Sequence, residues 1–108
     1  MHQFIRDTLA KQDIPVYFSK RPHGVYPCVV FHYNEFPLAR GDNQEELALY
    51  DCYFNIFCKG NLTENTKKIK AVLEAALFQK VVVNPPEMFD GDDFYQITMN
   101  YTRWFSSE

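Results

Sequence analysis

Tyr50-Asp51-Cys52-Tyr53-Phe54-Asn55-Ile56-Phe57-Cys58-Lys59 is the stretch from which the rest of the chain can be read. Tyr50, Cys52, Phe54, Ile56 and Cys58 share one face of an extended segment, while Asp51, Tyr53, Asn55 and Lys59 take the other. Alternation with a period of two is that of a β-strand buried on one side. Just beyond it, Asn61 followed by Glu64 has the spacing of a capping box, in which a side-chain oxygen takes an orphan helix amide and the carboxylate reaches back. Leu62, Ile69, Val72, Leu73, Ala76 and Leu77 then recur at helical spacing, so this helix is expected to pack on the sheet. Lys67, Lys68, Lys70 and Glu74 lie off that stripe, and Lys70 with Glu74 has the spacing of a surface pair.

Reading upstream, Pro27 to Phe36 contains the dense run Cys28-Val29-Val30-Phe31-His32-Tyr33, whose leading proline fits the first position of a strand. Between it and Tyr50, Pro37 to Glu46 turns polar and glycine-containing, longer than a tight hairpin needs. At the N-terminus, His2 to Asp13 places Ile5 and Leu9 one turn apart and reads as a short amphipathic helix. Pro15 disfavours helix at Ile14, and Val16-Tyr17-Phe18 reads as a first strand ending at Arg21-Pro22-His23-Gly24.

Downstream, Val81-Val82-Val83 is a short β-branched run stopped by Pro85-Pro86, and Met88-Phe89 leads into the turn dipeptide Asp90-Gly91, with two short strands expected to flank it. The last strand alternates Tyr95, Ile97, Met99 and Tyr101 against Gln96, Thr98, Asn100 and Thr102, and should be the longest together with the one ending at Lys59. The fold class follows: α+β, a mostly antiparallel sheet packed against two helices, as a single domain over residues 1–108.

Composition narrows the function classes. At 46% hydrophobic and 17% aromatic, the chain has enough apolar surface for a packed core. A formal charge of −3 with scattered Lys and Arg argues against sequence-specific nucleic-acid binding. No apolar run is long enough to span a bilayer, and the N-terminus lacks a signal-peptide core, so a cytosolic protein without a membrane partner is expected. Cys28, Cys52 and Cys58 cannot all pair within one chain and have no metal-finger spacing, so they read as reduced thiols.

The search for chemistry finds no cofactor or metal site. Cys52 and Cys58 share a face but lie roughly 20 Å apart at strand rise. Cys28 and His32, about 13 Å apart along a strand, cannot exchange a proton. His2, His23 and His32 fall on a terminus, a turn and a strand and read as isolated residues. Asp90, Asp92 and Asp93 lack the ligand series of a calcium loop and read as a solvated turn. Lys67, Lys68 and Lys70 read as the wet face of a helix, with no glycine-rich loop beside them. A site assembled from His32, Asp51 and Tyr53 has no spacing that chemistry requires.

Two features exceed what a plain fold demands. One is the aromatic load of Phe36, Tyr53, Phe57, Tyr101, Trp104 and Phe105, for which a partner surface and ordinary core are competing readings. The other is the Pro37 to Glu46 loop, which opens on Leu38-Ala39-Arg40 before turning acidic.

The order of helix, Pro27-to-Tyr33 strand, Gly41-to-Glu46 loop, Tyr50-to-Phe57 strand with Lys59-Gly60, amphipathic helix and closing strand around Phe94-Tyr95-Gln96-Ile97 resembles the tail-completion proteins of long-tailed phages and prophages. These form the tail-to-head joining or tail-terminator group. The resemblance implies a non-enzymatic virion-assembly protein that caps the tail tube and joins it to the head connector, as a ring of its own copies, commonly six. It would assemble in the host bacterial cytoplasm and end in the virion tail. Its partners would be the tail tube protein and head connector proteins. Subunit contacts are then expected from Phe36, Leu38 and Arg40, with Asp42, Glu45 and Glu46 as channel or partner charges. Deleting Leu38 to Glu45 is expected to leave a folded monomer that no longer joins. A small ligand-binding or regulatory α+β module with a Tyr- and Phe-lined pocket is the alternative.

Overall fold

A computed structural model describes residues 1–37, 47–88 and 93–106. Their elements run α1 (His2–Leu9), β1 (Val16–Phe18), β2 (Cys28–Pro37), β3 (Leu47–Cys58), α2 (Leu62–Ala75), β4 (Gln79–Val83) and β5 (Tyr95–Ser106). The strands form one five-stranded sheet in the order β1-β2-β3-β5-β4, so the fold is α+β. β1 runs parallel to β2, with Val16 opposite Val29, and the other pairs are antiparallel. The β2–β3 ladder is continuous from Cys28 opposite Phe57 to Pro37 opposite Ala48.

The period-two reading of β3 holds: Ala48, Tyr50, Cys52, Phe54, Ile56 and Cys58 are buried on the face toward the helices. Val29 and Phe31 of β2 and Ile97, Met99 and Tyr101 of β5 join them, while Tyr95 is exposed. Ile5 and Leu9 of α1, Ile14, Ile69 and Leu73 of α2, and Phe78 close over this inner face.

α1 stops at Leu9 rather than continuing to Asp13. Ile14 would fall on the far side of the wheel from Ile5 if the helix went on, and leaving the helix lets Ile14 reach the core. The ladder also runs further than the sequence suggests, since β2 reaches Pro37, β3 begins at Leu47 and β5 ends at Ser106. The strands flanking the 84–94 connection are β4 and β5; Glu87 makes an isolated bridge to Gln96, Met88 lies outside any strand, and Asp90-Gly91 lies outside the described residues.

Expected details of α2 need correction. Asn61 sits at φ 53° and makes no side-chain cap, so the Asn61–Glu64 capping box does not form. Asn65 instead donates from Nδ2 to the Gly60 carbonyl. Glu74 accepts the Tyr101 hydroxyl at 3.2 Å rather than an ammonium from Lys70, and among the described residues the ion pair is Lys59–Asp93 at 3.0 Å. Lys59 holds the Asp93 carboxyl below its usual range by hydrogen bond and charge.

At the far end of α2, the Phe78 amide donates to the Leu73 carbonyl and the Leu77 amide to that of Glu74, a Schellman-type ending. The residue at its left-handed position is Leu77, at φ 72° and 72% exposed, and so not part of the buried stripe. A side chain there costs conformational energy that glycine avoids. Leu77→Gly is therefore expected to stabilise the fold by about 0.5–1 kcal/mol, seen as a rise of several degrees in Tm; an unchanged or lower Tm would show that Leu77 contributes packing of its own.

The outer face is not wet throughout. Cys28, Val30 and Phe57 are buried at its β1 end beneath Tyr17, Val25, Tyr26 and Phe94. Arg21 lies over the rings of Phe94 and Phe57, at 4.5 and 4.9 Å. Gly24, at φ 77°, supplies the turn that folds this cover back.

Candidate functional site

Strand register decides which outer-face residues meet. Because directly opposed residues share a face, His32, Tyr53 and Asn100 form one row across β2, β3 and β5, and Asn34, Asp51 and Thr102 form the next. The third row is Phe36, Leu49 and Trp104. Polar rows thus give way to an apolar one at the end of the sheet where the 38–46 segment leaves.

The polar rows are tied together. Tyr53 donates its hydroxyl to Asp51 Oδ2 at 3.0 Å, and Asn100 Nδ2 donates to Asp51 Oδ1 at 2.7 Å and to the Cys52 carbonyl at 3.0 Å. His32 stacks on Tyr53 with ring centroids 5.0 Å apart. Further along, Thr98 donates to Asn55 Oδ1 at 2.8 Å. The fold therefore brings His32 against the Asp51–Tyr53 pair of β3, a meeting that sequence spacing did not suggest. The hydrogen bond to Asp51 raises the Tyr53 phenol pKa, so that group holds its proton, and Asp51 spends both oxygens on neighbours. Chemically this is a braced, hydrogen-bonding plate.

In the apolar row, Phe36 is 49% and Trp104 46% exposed, Leu49 is half-buried, and Leu47 stands exposed beside them. These apolar side chains are grouped at one end of the sheet rather than scattered over it. Phe36 was legible as a candidate, whereas Leu47 and Leu49 were not. Their signal was phase, since Leu49 is an apolar residue on the Asp51–Tyr53 side of the alternation. Leu38, Arg40, Asp42, Glu45 and Glu46 lie outside the described residues.

The other aromatics divide. Tyr101 and Phe57 are core, and Phe105 is half-buried against Phe4 at 5.4 Å between centroids. His2 is half-buried as well, accepting the Arg6 Nε hydrogen on Nε2 and lying against Phe18 and Phe31.

Among the described residues no three His, Cys, Asp or Glu side chains gather as metal ligands, and no helix is long and apolar enough to cross a membrane. The three cysteines are unpaired and buried. Burial pushes all three thiols up, Cys52 to about 12. Burial, with help from a hydrogen bond to Glu35, likewise raises the Tyr50 phenol to about 12. Groups whose pKa is higher folded than unfolded lend stability that is complete below their unfolded values and is lost as pH rises through the folded ones. The native chain is thus expected to leave all three thiols unreacted with a disulfide reagent at pH 8, and to lose stability between about pH 9 and 12. Rapid native labelling of any thiol would contradict this burial.

Compared with known proteins, the chain matches no family profile and no curated protein. Its fold is similar to that of a chain in the virion of a native gene transfer agent particle, with a TM-score of 0.54 over 91% of this chain and 88% of that one, at 13% identity. A second solved chain aligns over 100% of this one and 96% of its own length at 13% identity, with a TM-score of 0.46.

Proposed function

We propose that this chain is a structural component of a phage-like particle that closes the end of a tail tube as a ring and offers its other side to the head connector. The observation that carries the reading is the likeness of fold to a chain of a gene transfer agent virion, which extends over nearly the whole of both chains. The apolar row Phe36–Leu49–Trp104 supports it, because a ring subunit needs a patch on which a neighbour can settle. On this reading the chain performs no reaction and takes no cofactor. The polar plate around Asp51 is a preformed surface, and the net charge of −3 keeps DNA passing nearby from adhering. Its partners are its own copies, the tube protein and the connector; its place is the host cytoplasm during assembly and then the virion tail.

Light scattering on the eluting purified chain, followed by electron microscopy of the peak, tests this. Closed rings with a mass that is a whole multiple of the subunit, six being expected, are the predicted outcome, and Phe36→Ser with Trp104→Ser is expected to return the protein to a folded monomer. A wild-type chain that stays monomeric at high concentration and fails to bind tail tubes would remove the reading. So would turnover of a substrate.

A further inference from the structure

A groove of about 270 Å³ runs between the first half of α2 and the β4 end of the sheet, on the opposite side of the molecule's length from the apolar row. Leu62, Val83, Pro86 and Ile97 form its apolar part, and Lys67 and Lys70 stand at its rim. Among the described residues no carboxylate lines it. Lys67 is exposed and Lys70 half-buried, whereas Lys59, elsewhere on the surface, is already paired with Asp93. Two ammonium groups above an aliphatic floor fit a peptide segment that carries apolar anchors followed by carboxylates.

The chain contains such a segment. Residues 38–46 open on Leu38-Ala39 directly after Pro37 and then bring Asp42, Glu45 and Glu46 against the single Arg40, three negative charges and one positive, a net of −2. Its own groove is out of reach. The segment is anchored where Ala48 pairs with Phe105, and the groove floor lies where Ile56 pairs with Ile97. Eight residues of strand separate those points, about 27 Å. Nine residues held at both ends extend out and back by only about 17 Å.

We infer that the α2–β4 groove receives the 38–46 segment of a second copy of this chain, giving the heterologous, head-to-tail contact that a ring requires. The inference rests on the ring reading above and names the receiving surface. The ends of β2 and β3 that flank the donor segment lie at the opposite end of the sheet from the receiving groove, so each copy engages a different neighbour with each.

The test is read in one of two ways, according to the mass of the wild-type chain. If it assembles, K67E with K70E is expected to weaken association roughly tenfold or more, and adding D42K, E45K and E46K to the same chain to restore it. Circular dichroism of each variant checks that α2 survives, and K67Q with K70Q should give a smaller loss in the same direction. Association that is indifferent to the reversal, or that the charge swap fails to restore, overturns the groove assignment while leaving the ring standing. If the wild-type chain is monomeric, a synthetic peptide of residues 36–47 titrated into the isotope-labelled full chain tests the groove directly. Saturable shifts at Lys67, Lys70, Val83 and Ile97 that K67E with K70E weakens about tenfold support the assignment. Their absence at millimolar peptide, or their survival in the reversed variant, overturns it.

Discussion

Phe54→Ala is expected to destabilise the chain by about 3–5 kcal/mol, which for a domain with a total stability of about 5–15 kcal/mol brings it close to unfolding. Phe54 is fully buried in the middle of β3, between Phe31 on β2 and Met99 on β5. Its ring meets Phe78 edge-on at 6.0 Å and Tyr101 at 6.1 Å, so it joins the sheet to the segment that follows α2. Truncation removes the ring's own burial and leaves a hole that flanking strands, tied by ladders on both sides, cannot collapse into. Urea denaturation should show a much lower midpoint with an unchanged slope. Phe54→Leu should keep most of the stability, and a midpoint for the alanine variant within a few tenths molar of wild type would mean that the core is not organised around this ring.

Arg103→Ala should cost about 2–3 kcal/mol although the residue is only half-buried. Its Nε donates to the Ala76 carbonyl at 2.8 Å, satisfying an acceptor that the end of α2 leaves open. Its guanidinium lies 4.5 Å from the centre of the Phe4 ring, 5.7 Å from Phe78 and 5.8 Å from Phe105. One planar cation thus joins α1, the end of α2 and β5. Arg103→Lys keeps the charge but not the planar fork that stacks and donates at once, so it is expected to recover less than half of the loss. Thermal melts of the three proteins decide the matter, and equal melting of the lysine variant and wild type would reduce Arg103 to a simple positive charge.

The parts of this fold that were legible from sequence are those set by local periodicity. The alternation of β3 and β5 and the Ile69–Leu73 stripe of α2 survive because each buries one face over its central residues. What periodicity could not show is how strands are placed relative to one another. Val16-Tyr17-Phe18 reads as a strand, but its parallel pairing with β2 is a contact between separate segments that periodicity does not encode. Asn61 and Glu64 had the spacing of a cap, yet the left-handed backbone at Asn61 defeats it. The candidate surface was half legible for the same reason. Phe36 announced itself as an aromatic beside a loop, while its alignment with Leu49 and Trp104 requires the register of three strands. Asp51 and Tyr53 share a face of β3 by their spacing, whereas His32 joins them only once β2 lies against β3.

The register slip between Lys80 and Val82 in β4 has a bearing on how such a protein can be stored. β4 is a border strand whose Val81 and Val82 stand exposed, and a run of bare valines is the kind of template on which fibrils grow. An incoming strand that begins to zip along this border meets the irregular step after a residue or two and loses its hydrogen-bond rhythm. Edge-to-edge stacking along β4 is thereby disfavoured, so the bare valines of this border are a weaker template for fibrils than their exposure alone suggests.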